Sequence, residues 1–169
     1  MKFTLVPEYK FEKFDDVTPE FLLSLGIRGV LLDIDNTIEP YEHIVPGEHV
    51  CAWLNSLKSV GINAAFVSNN KSDRVDTFNK DLGIPAYSMA CKPLPQKLYN
   101  AMLDIGTDKS NTVFIGDQIL TDVLAAHNAG IIAILVSPIN DKRDLFTRFK
   151  RWLEKPIHRK FDKIRKENK

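Results

Sequence analysis

The chain has 169 residues, 44% of them hydrophobic and 27% charged, with a net charge of +1, the balance of an ordinary one-domain globular protein. Two cysteines forty positions apart, Cys51 and Cys91, exclude a disulfide framework and a cysteine-rich zinc site, so a reducing compartment is the simplest interpretation. The sequence has neither a signal-peptide pattern nor about 18 consecutive apolar residues, so we expect a cytoplasmic protein without a membrane-spanning helix.

The first predicted element is a helix that begins near Thr18, where threonine can cap the helix and Pro19 suits its first position. Apolar runs then follow that do not alternate with polar residues, a pattern typical of strands buried on both faces of a parallel sheet. These strands are predicted at 29–34, 63–68, 112–116 and 131–136, with a weaker strand at 84–87.

Helical patterns separate the predicted strands. They cover 47–60, 71–82, 95–105 and 118–128, and a glycine follows each of them closely, as is common at helix ends. Strands that alternate with helices indicate an α/β fold with a doubly wound parallel sheet in three layers. We therefore predict one such domain over 1–141, followed by a different kind of segment over 142–169.

Polar side chains follow the predicted strands at the point where each strand ends. In open parallel sheets, ligands bind at the carboxyl ends of the strands, so we expect these side chains to form one site. They are Asp33, Asp35 and Thr37 after the first apolar run, Ser68 and Asn69 after the second, Lys92 after the weak strand, and Asp117 and Asp122 after the third strong run.

The residue types suit phosphoryl transfer. Carboxylates as close as Asp33 and Asp35 repel each other unless a cation intervenes, and Mg²⁺ takes such oxygen ligands and pairs with phosphates. Asp33 could then act as a nucleophile and Asp35 as the acid that protonates the leaving group, while Asp117 completes the metal site. A lone aspartate at a strand end commonly just caps the next helix, so the prediction depends on the whole set.

Further residues would support this chemistry. Ser68 offers a hydroxyl donor, and Lys92 offers a positive charge for the transferring group. Asp122 could hold Lys92 or a metal-bound water in place.

Four segments carry a family resemblance: DIDNT (33–37), VSNN (67–70), CKP (91–93) and GDQILTD (116–122). They resemble the ordered motifs of the haloacid dehalogenase superfamily, and the chain is most similar to its subfamily IIIA phosphatases of the YqeG type. The resemblance implies an aspartyl-phosphate at Asp33 and acid/base catalysis by Asp35. It also implies phosphate binding by Ser68, charge balance by Lys92, and Mg²⁺ binding by Asp33, Asp117 and the Asp35 backbone carbonyl. We further predict that Asn69 and Lys92 contact the phosphate and that Asp122 and Thr37 have supporting roles.

The spacing of these motifs leaves no room for the cap domain that many members of the superfamily fold over small substrates. One helix and one strand fill most of the interval between Thr37 and Ser68, and the interval before Lys92 is similar. A capless site is open, so its substrate or a partner must exclude water. This favours a phosphate carried on a lipid, a protein or a nucleic acid.

The last segment is basic. Residues 142–169 hold twelve Lys/Arg and four Asp/Glu, a net charge of +8, whereas residues 1–141 carry −7. A helical stripe in this segment consists of Leu145, Phe146, Phe149, Trp152 and Leu153. A basic amphipathic helix suits an anionic membrane surface, although the same stripe could pack on the domain itself.

The preferred hypothesis is a magnesium-dependent phosphomonoester hydrolase at a membrane surface. Its expected substrate is phosphatidylglycerophosphate, because the YqeG-type family also resembles the mitochondrial phosphatases of that lipid. The alternatives are a phosphatase of nucleic-acid ends or phosphoproteins, and a non-catalytic protein that binds membrane or RNA on the same scaffold. The sequence leaves the oligomeric state open.

Overall fold

The computed structural model of the chain describes residues 5–139. The amphipathic helix predicted over 142–169 lies outside the described residues. One sheet of six strands forms the centre of the domain. Its strands are β1 (Tyr9–Phe11), β2 (Gly29–Leu32), β3 (Asn63–Val67), β4 (Ala86–Tyr87), β5 (Thr112–Gly116) and β6 (Ile132–Val136).

The helices lie between the strands, as the glycine-ended patterns predict. They are α1 (Pro19–Ser24), α2 (Glu48–Ser59), α3 (Ser72–Asn79), α4 (Gln96–Asp104) and α5 (Leu124–Ala129). Thr18 caps α1, since its side chain accepts a hydrogen bond from the Phe21 N–H at 3.2 Å. A short 3₁₀ helix over Phe14–Asp16 precedes α1, and a π-helical turn over Ile119–Val123 leads into α5.

All the strand pairs are parallel, and the strand order is β1-β6-β5-β2-β3-β4. The sheet is buried on both faces. Val30 and Leu32 of β2 belong to the core beneath α1, α2 and α3, whereas Leu31 belongs to the core beneath α4 and α5. The three-layer, doubly wound α/β fold predicted from the sequence is therefore confirmed.

The chain winds outward in opposite directions from the pair β2 and β5. Strands β3 and β4 continue on one side of this pair, and β6 and β1 continue on the other. Ligands of open α/β sheets bind beyond the carboxyl ends of the strands at such a switch point. Asp33 follows β2 and Asp117 follows β5, so the fold places both aspartates beside this crevice.

Strand β1 was not predicted from the sequence. It has only three residues, all of intermediate burial, and lies at the sheet edge beside β6. The rings of Tyr9 and Phe11 pack edge-on against Phe21 at 5.1 and 5.2 Å between centroids. A strand this short, with polar Lys10 at its centre, gives no apolar run to detect.

The segment between β2 and α2 contains no inserted domain. Residues 33–47 form a loop whose one strand-like contact is a bridge between Asp35 and Glu39. Residues 68–71 join β3 directly to α3. Over residues 5–139 the site is therefore capless, as the motif spacing predicts. In this part of the chain, no helix is both long and apolar enough to span a bilayer.

Candidate active site

The structure gathers polar side chains at the carboxyl edge of the sheet. Asp33, Ser68, Lys92 and Asp117 are each at most 6% exposed. They come from the loops after β2, β3, β4 and β5, which the parallel sheet brings together at one edge. The predicted convergence of these residues is thus what the fold shows.

Lys92 lies at the centre of this group. Its Nζ lies 2.8 Å from Asp33 Oδ1 and 2.8 Å from Asp122 Oδ1. Burial alone would lower the pKa of Lys92, but the Asp122 and Asp33 carboxylates outweigh it and hold that pKa above its ordinary value. Lys92 is therefore a buried cation at neutral pH. Its contact with Asp122 matches the first of the two roles predicted for Asp122, which is to hold Lys92 in place.

Asp33 shows the opposite electrostatic balance. Burial raises the pKa of Asp33 to about 7; Lys92 opposes this shift, and the Asp122 and Asp35 carboxylates add to it. A carboxylate in this setting needs a further positive charge to remain ionised near neutral pH. That need fits a metal cation beside Asp33.

Three buried carboxylates could hold such a cation. Asp33, Asp117 and Asp122 each offer an oxygen, and these oxygens all lie within 4.8 Å of one another. Asp122 already has donors on both oxygens, since Oδ1 contacts Lys92 and Oδ2 accepts a hydrogen bond from the Gln118 N–H at 3.0 Å. The better candidates for metal ligands are therefore Asp33 and Asp117.

Asp117 is steadied by Thr37. The Thr37 hydroxyl donates a hydrogen bond to Asp117 Oδ1 at 3.2 Å, and both residues are buried. This contact joins the loop after β2 to the loop after β5 across the switch point. Thr37 thus lies where the sequence placed it, in a supporting position beside a candidate ligand.

Gly116 permits the close approach of Asp122. A Cβ atom at position 116 would lie 2.4 Å from the Asp122 Cβ, so no side chain fits there. The π-helical turn over Ile119–Val123 carries Asp122 back over Gly116. Such turns occur often at functional sites, and the sequence predicted an ordinary helix here.

The loop after β3 contributes Ser68, Asn69 and Asn70. Ser68 is 1% exposed, and its hydroxyl accepts a hydrogen bond from the Asn70 N–H at 3.1 Å. The Asn69 amide bonds the Lys92 backbone in both directions, accepting from the N–H at 2.7 Å and donating to the carbonyl at 3.3 Å. Asn69 therefore positions the Lys92 backbone, and its predicted contact with phosphate stays a prediction.

The Asp35 carboxylate lies outside the three-carboxylate group and is held by the loop after β3 and by α3. The Asn70 amide donates to Asp35 Oδ2 at 3.0 Å. Arg74 donates to Oδ1 through Nε at 3.3 Å and through Nη2 at 3.1 Å. Since Asp35 is outside the cluster of carboxylates, any metal contact from this residue would come from its backbone carbonyl, as the resemblance implies.

Arg74 is a site residue that the sequence did not reveal. Its side chain is 11% exposed and lies 5.1 Å from the Phe78 ring and 6.0 Å from the Tyr41 ring. Its Nη1 also donates to the Ile44 carbonyl at 3.3 Å. From the sequence, an arginine in the first turn of a helix is expected to face solvent. The contact of Arg74 with Asp35 depends on the position of α3 in the fold.

Glu39 was also missed. It is 2% exposed, and its carboxylate contacts the Gly47 N–H at 2.7 Å, His43 at 2.8 Å and His49 at 3.6 Å. These contacts close the loop over residues 40–47, which we call the Glu39 clasp. His43 and His49 therefore contact Glu39 and lie outside the group of Asp33, Asp117 and Asp122.

Comparisons with known proteins identify the family of the chain. A family model described as HAD-hyrolase-like matches residues 89–149. The chain is 35% identical over 156 residues to the probable phosphatase YqeG of Bacillus subtilis, a match that covers 92% of this chain and 90% of that protein. The chain belongs to the YqeG family of haloacid dehalogenase-type phosphatases.

Solved structures of similar fold include two deoxy-octulosonate 8-phosphate phosphatases. The cobalt-bound form from Haemophilus influenzae has a TM-score of 0.56 and 15% identity, covering 78% of this phosphatase and 89% of that chain. The Moraxella catarrhalis enzyme, solved with a magnesium ion, a phosphate ion and a KDO molecule, has a TM-score of 0.53 and 18% identity, with coverages of 89% and 98%. At such identities the likeness confirms the fold of this YqeG-family phosphatase.

Substitution of Arg74 tests whether it positions Asp35. Because Arg74→Met removes both guanidinium contacts to the carboxylate, we expect kcat to fall roughly tenfold, a part of the 10²- to 10⁴-fold that acid/base catalysis contributes. The KM for an aryl phosphate should stay within about twofold, since the hydrogen bonds of Arg74 are to Asp35 and Ile44 and not to Ser68 or Lys92. Steady-state kinetics with a divalent cation present would measure both constants.

Two matched variants complete this test. Lys71→Met removes an exposed cation from the residue just before α3 and should leave kcat unchanged. Arg74→Lys should recover part of the loss, because lysine keeps the charge but not the forked geometry. Equal losses in the Lys71 and Arg74 variants would show a general charge effect instead.

The pKa of Asp33 predicts a pH dependence of stability in the metal-free phosphatase. The folded protein retains a proton on Asp33 up to about pH 7, whereas the unfolded chain releases it near the ordinary value of 3.8. The contribution of Asp33 to the free energy of unfolding should therefore fall as the pH rises from 4 to 7, with a slope that approaches about 1.4 kcal/mol per pH unit. Urea denaturation in the presence of a chelator would measure it.

The Asp33→Asn variant should lack this component. The difference between wild type and variant isolates Asp33 from the other titrating groups. Added divalent cation should reverse the trend in the wild type, because it binds the ionised carboxylate. Parallel pH profiles for the two proteins would contradict the assignment.

Proposed function

We propose that this phosphatase is a magnesium-dependent phosphomonoester hydrolase that works through an aspartyl-phosphate at Asp33. The observation that carries the proposal is the ion pair of Lys92 with Asp33, in a buried cluster with Asp117 and Asp122. A nucleophilic carboxylate, a fixed cation and two further carboxylates are the parts that phosphoryl transfer on an aspartate requires.

The first step forms a bond between an Asp33 carboxylate oxygen and the substrate phosphorus while the ester P–O bond breaks. The leaving oxygen takes a proton from Asp35, which the Asn70 and Arg74 contacts hold beside the site. In the second step water attacks the same phosphorus. Asp35 accepts a proton from that water, the bond to Asp33 breaks, and inorganic phosphate leaves.

Lys92 and Ser68 serve the transferring group in this scheme. The Lys92 ammonium is fixed by Asp122 and lies 2.8 Å from Asp33, so it can balance negative charge on phosphoryl oxygens without reorganisation. Ser68 is buried at the same edge and offers its hydroxyl as a donor. Asn69 supports both by holding the Lys92 backbone.

Magnesium is the proposed metal because the donors are carboxylate oxygens, which this hard cation prefers. Asp33, Asp117 and the Asp35 backbone carbonyl would hold it. When bound, it would supply positive charge that keeps Asp33 ionised and neutralises the phosphate.

We propose a large or membrane-borne substrate such as phosphatidylglycerophosphate, with the enzyme peripheral at the membrane surface. The capless loops over 33–47 and 68–71 support this, since an open site leaves water exclusion to the substrate or to the surface that carries it. The net charge of +8 over residues 142–169 would attract an anionic surface. Nucleic-acid ends and phosphoproteins are the alternative substrates, for which the basic segment would act as an electrostatic dock.

Reductive trapping tests the aspartyl-phosphate. Borohydride reduces an acyl phosphate, so treatment during turnover of an aryl phosphate should convert residue 33 to homoserine, which peptide mass spectrometry detects. Asp35→Asn should increase the trapped fraction, because the second step then lacks its base.

The Asp33→Asn variant provides the control. It should show no trapped species, and its rate of aryl phosphate hydrolysis with magnesium should fall by a factor of at least about 10³. Equal rates for this variant and the wild type would exclude Asp33 as the nucleophile.

Direct comparison of substrates tests the second part of the proposal. We expect phosphate release from phosphatidylglycerophosphate in vesicles to exceed release from a 3′-phosphorylated oligonucleotide and from a phosphopeptide. A chain truncated after Asp141 should lose at least about tenfold of the vesicle activity, because the basic segment no longer holds the enzyme at the surface. Its rate on a soluble aryl phosphate should be unchanged.

The oligonucleotide and the phosphopeptide are the informative competitors. A clear preference for either would replace the lipid as the substrate class while leaving the chemistry at Asp33 intact. Unchanged vesicle activity in the truncated protein would rule out a membrane role for the basic segment.

A further inference from the structure

Exposed large apolar side chains are concentrated around the active site. Seven such residues occur among residues 5–139, and one of them, Leu103, lies at the far end of α4. The other six lie in the loops that follow β2, β4 and β6 at the carboxyl edge. We call these six the apolar rim: Tyr41, Ile44, Val45, Met89, Leu94 and Ile139.

The clustering is unusual for a protein surface. Single exposed apolar residues are normal, but a contiguous group marks an interaction site. Here the members come from three separate loops at the edge of the sheet where the buried residues Asp33 and Lys92 also lie.

The backbone holds the apolar rim outward. The Glu39 clasp closes the loop that carries Ile44 and Val45, and Arg74 binds the Ile44 carbonyl at 3.3 Å. The Met89 N–H donates to the Asn70 carbonyl at 2.8 Å, and the Ile139 N–H donates to the Asn36 carbonyl at 3.0 Å. Because these loops are tied down at the site, their apolar side chains are presented to a partner from fixed positions.

Backbone strain in the same loops supports this reading. Among residues 5–139, the non-glycine residues with positive φ are Asn36, Met89 and Cys91, at 62°, 44° and 55°. Strained conformations persist where the surrounding contacts overdetermine them, and they concentrate at functional sites. Met89 combines such a conformation with an exposed side chain that belongs to the rim.

We propose that the apolar rim inserts into the surface layer of an anionic lipid bilayer and faces the active site toward lipid-borne phosphates. Apolar and aromatic side chains on projecting loops gain free energy when they leave water for the boundary of the acyl chains. Ile139 belongs to the rim, and the segment with a net charge of +8 begins three residues later, at residue 142. Apolar insertion and attraction of anionic headgroups thus start from the same edge.

The orientation follows from this arrangement. With the rim in the bilayer surface, the opening above Asp33 and Lys92 faces the plane of the headgroups, and the bilayer excludes water that the capless site admits. The identity of the phosphate-bearing substrate rests on the proposed function, whereas docking of the rim does not. An experiment can therefore contradict the substrate proposal without contradicting the docking proposal.

Vesicle sedimentation with the full chain and magnesium tests the docking. The probes are phosphatidylcholine vesicles with and without phosphatidylglycerol. We expect the double variant Val45→Ser, Leu94→Ser to bind the mixed vesicles about tenfold more weakly than the wild type. Its hydrolysis of a soluble aryl phosphate should be unchanged, which also shows that it is folded.

Leu103→Ser is the matched control, because Leu103 is 77% exposed and Leu94 is 58% exposed, on opposite ends of the domain. This variant should bind vesicles like the wild type. Asp33→Asn should also bind like the wild type, so that loss of catalysis alone leaves the docking intact.

Several outcomes would overturn the docking proposal. Equal vesicle binding by wild type and double variant would exclude the rim as the contact. Light scattering that shows a wild-type dimer and a monomeric double variant, without a change in vesicle binding, would assign the rim to a second copy of the chain. An equal loss of vesicle binding in Leu103→Ser and in the double variant would show a general effect of exposed apolar area instead.

Discussion

The site is organised by a single buried cation shared between two aspartates. Lys92 lies 2.8 Å from both Asp33 and Asp122, and each contact comes from a different loop of the same sheet edge. Without the lysine, Asp122 would lose the cation that pairs with it in a buried space, and removal of one partner of a buried ion pair costs several kcal/mol. Asn69 holds the Lys92 backbone and Gly116 makes room for Asp122. The neighbouring loops are therefore built around one ammonium group.

The sequence predicts the buried strands and the polar residues that directly follow them. Apolar runs without alternation gave the four strong strands, and the polar residues that follow them gave Asp33, Ser68 and Asp117. The parallel sheet then had to bring those residues to one edge. The role of Asp122 does not follow from this pattern, since an acidic residue in the first turn of a helix commonly stabilises only the helix dipole. Its role depends on the π-helical turn and on Gly116, which no pattern of apolar residues encodes.

The residues that escaped prediction act at a distance along the chain. Arg74 lies thirty-nine positions from Asp35, and Glu39 eight positions from Gly47. Charged residues in a helix or loop usually face solvent, so their types alone do not distinguish a buried partner. Strand β1 escaped for another reason, because three half-buried residues at a sheet edge produce no periodic signal. Both kinds of miss reflect tertiary contacts that one sequence does not display.

The hydrogen bond from Ile139 to Asn36 has a mechanical consequence. It ties residue 139, just after β6, to the loop that carries Asp33 and Asp35. A tension applied beyond Ile139 therefore reaches that loop first, before it strains the Ser137 contacts to Phe11 and Glu12 that anchor β6 to β1. The catalytic loop is therefore connected mechanically to residue 139. A force on this residue acts on the Asn36 carbonyl, three residues from Asp33.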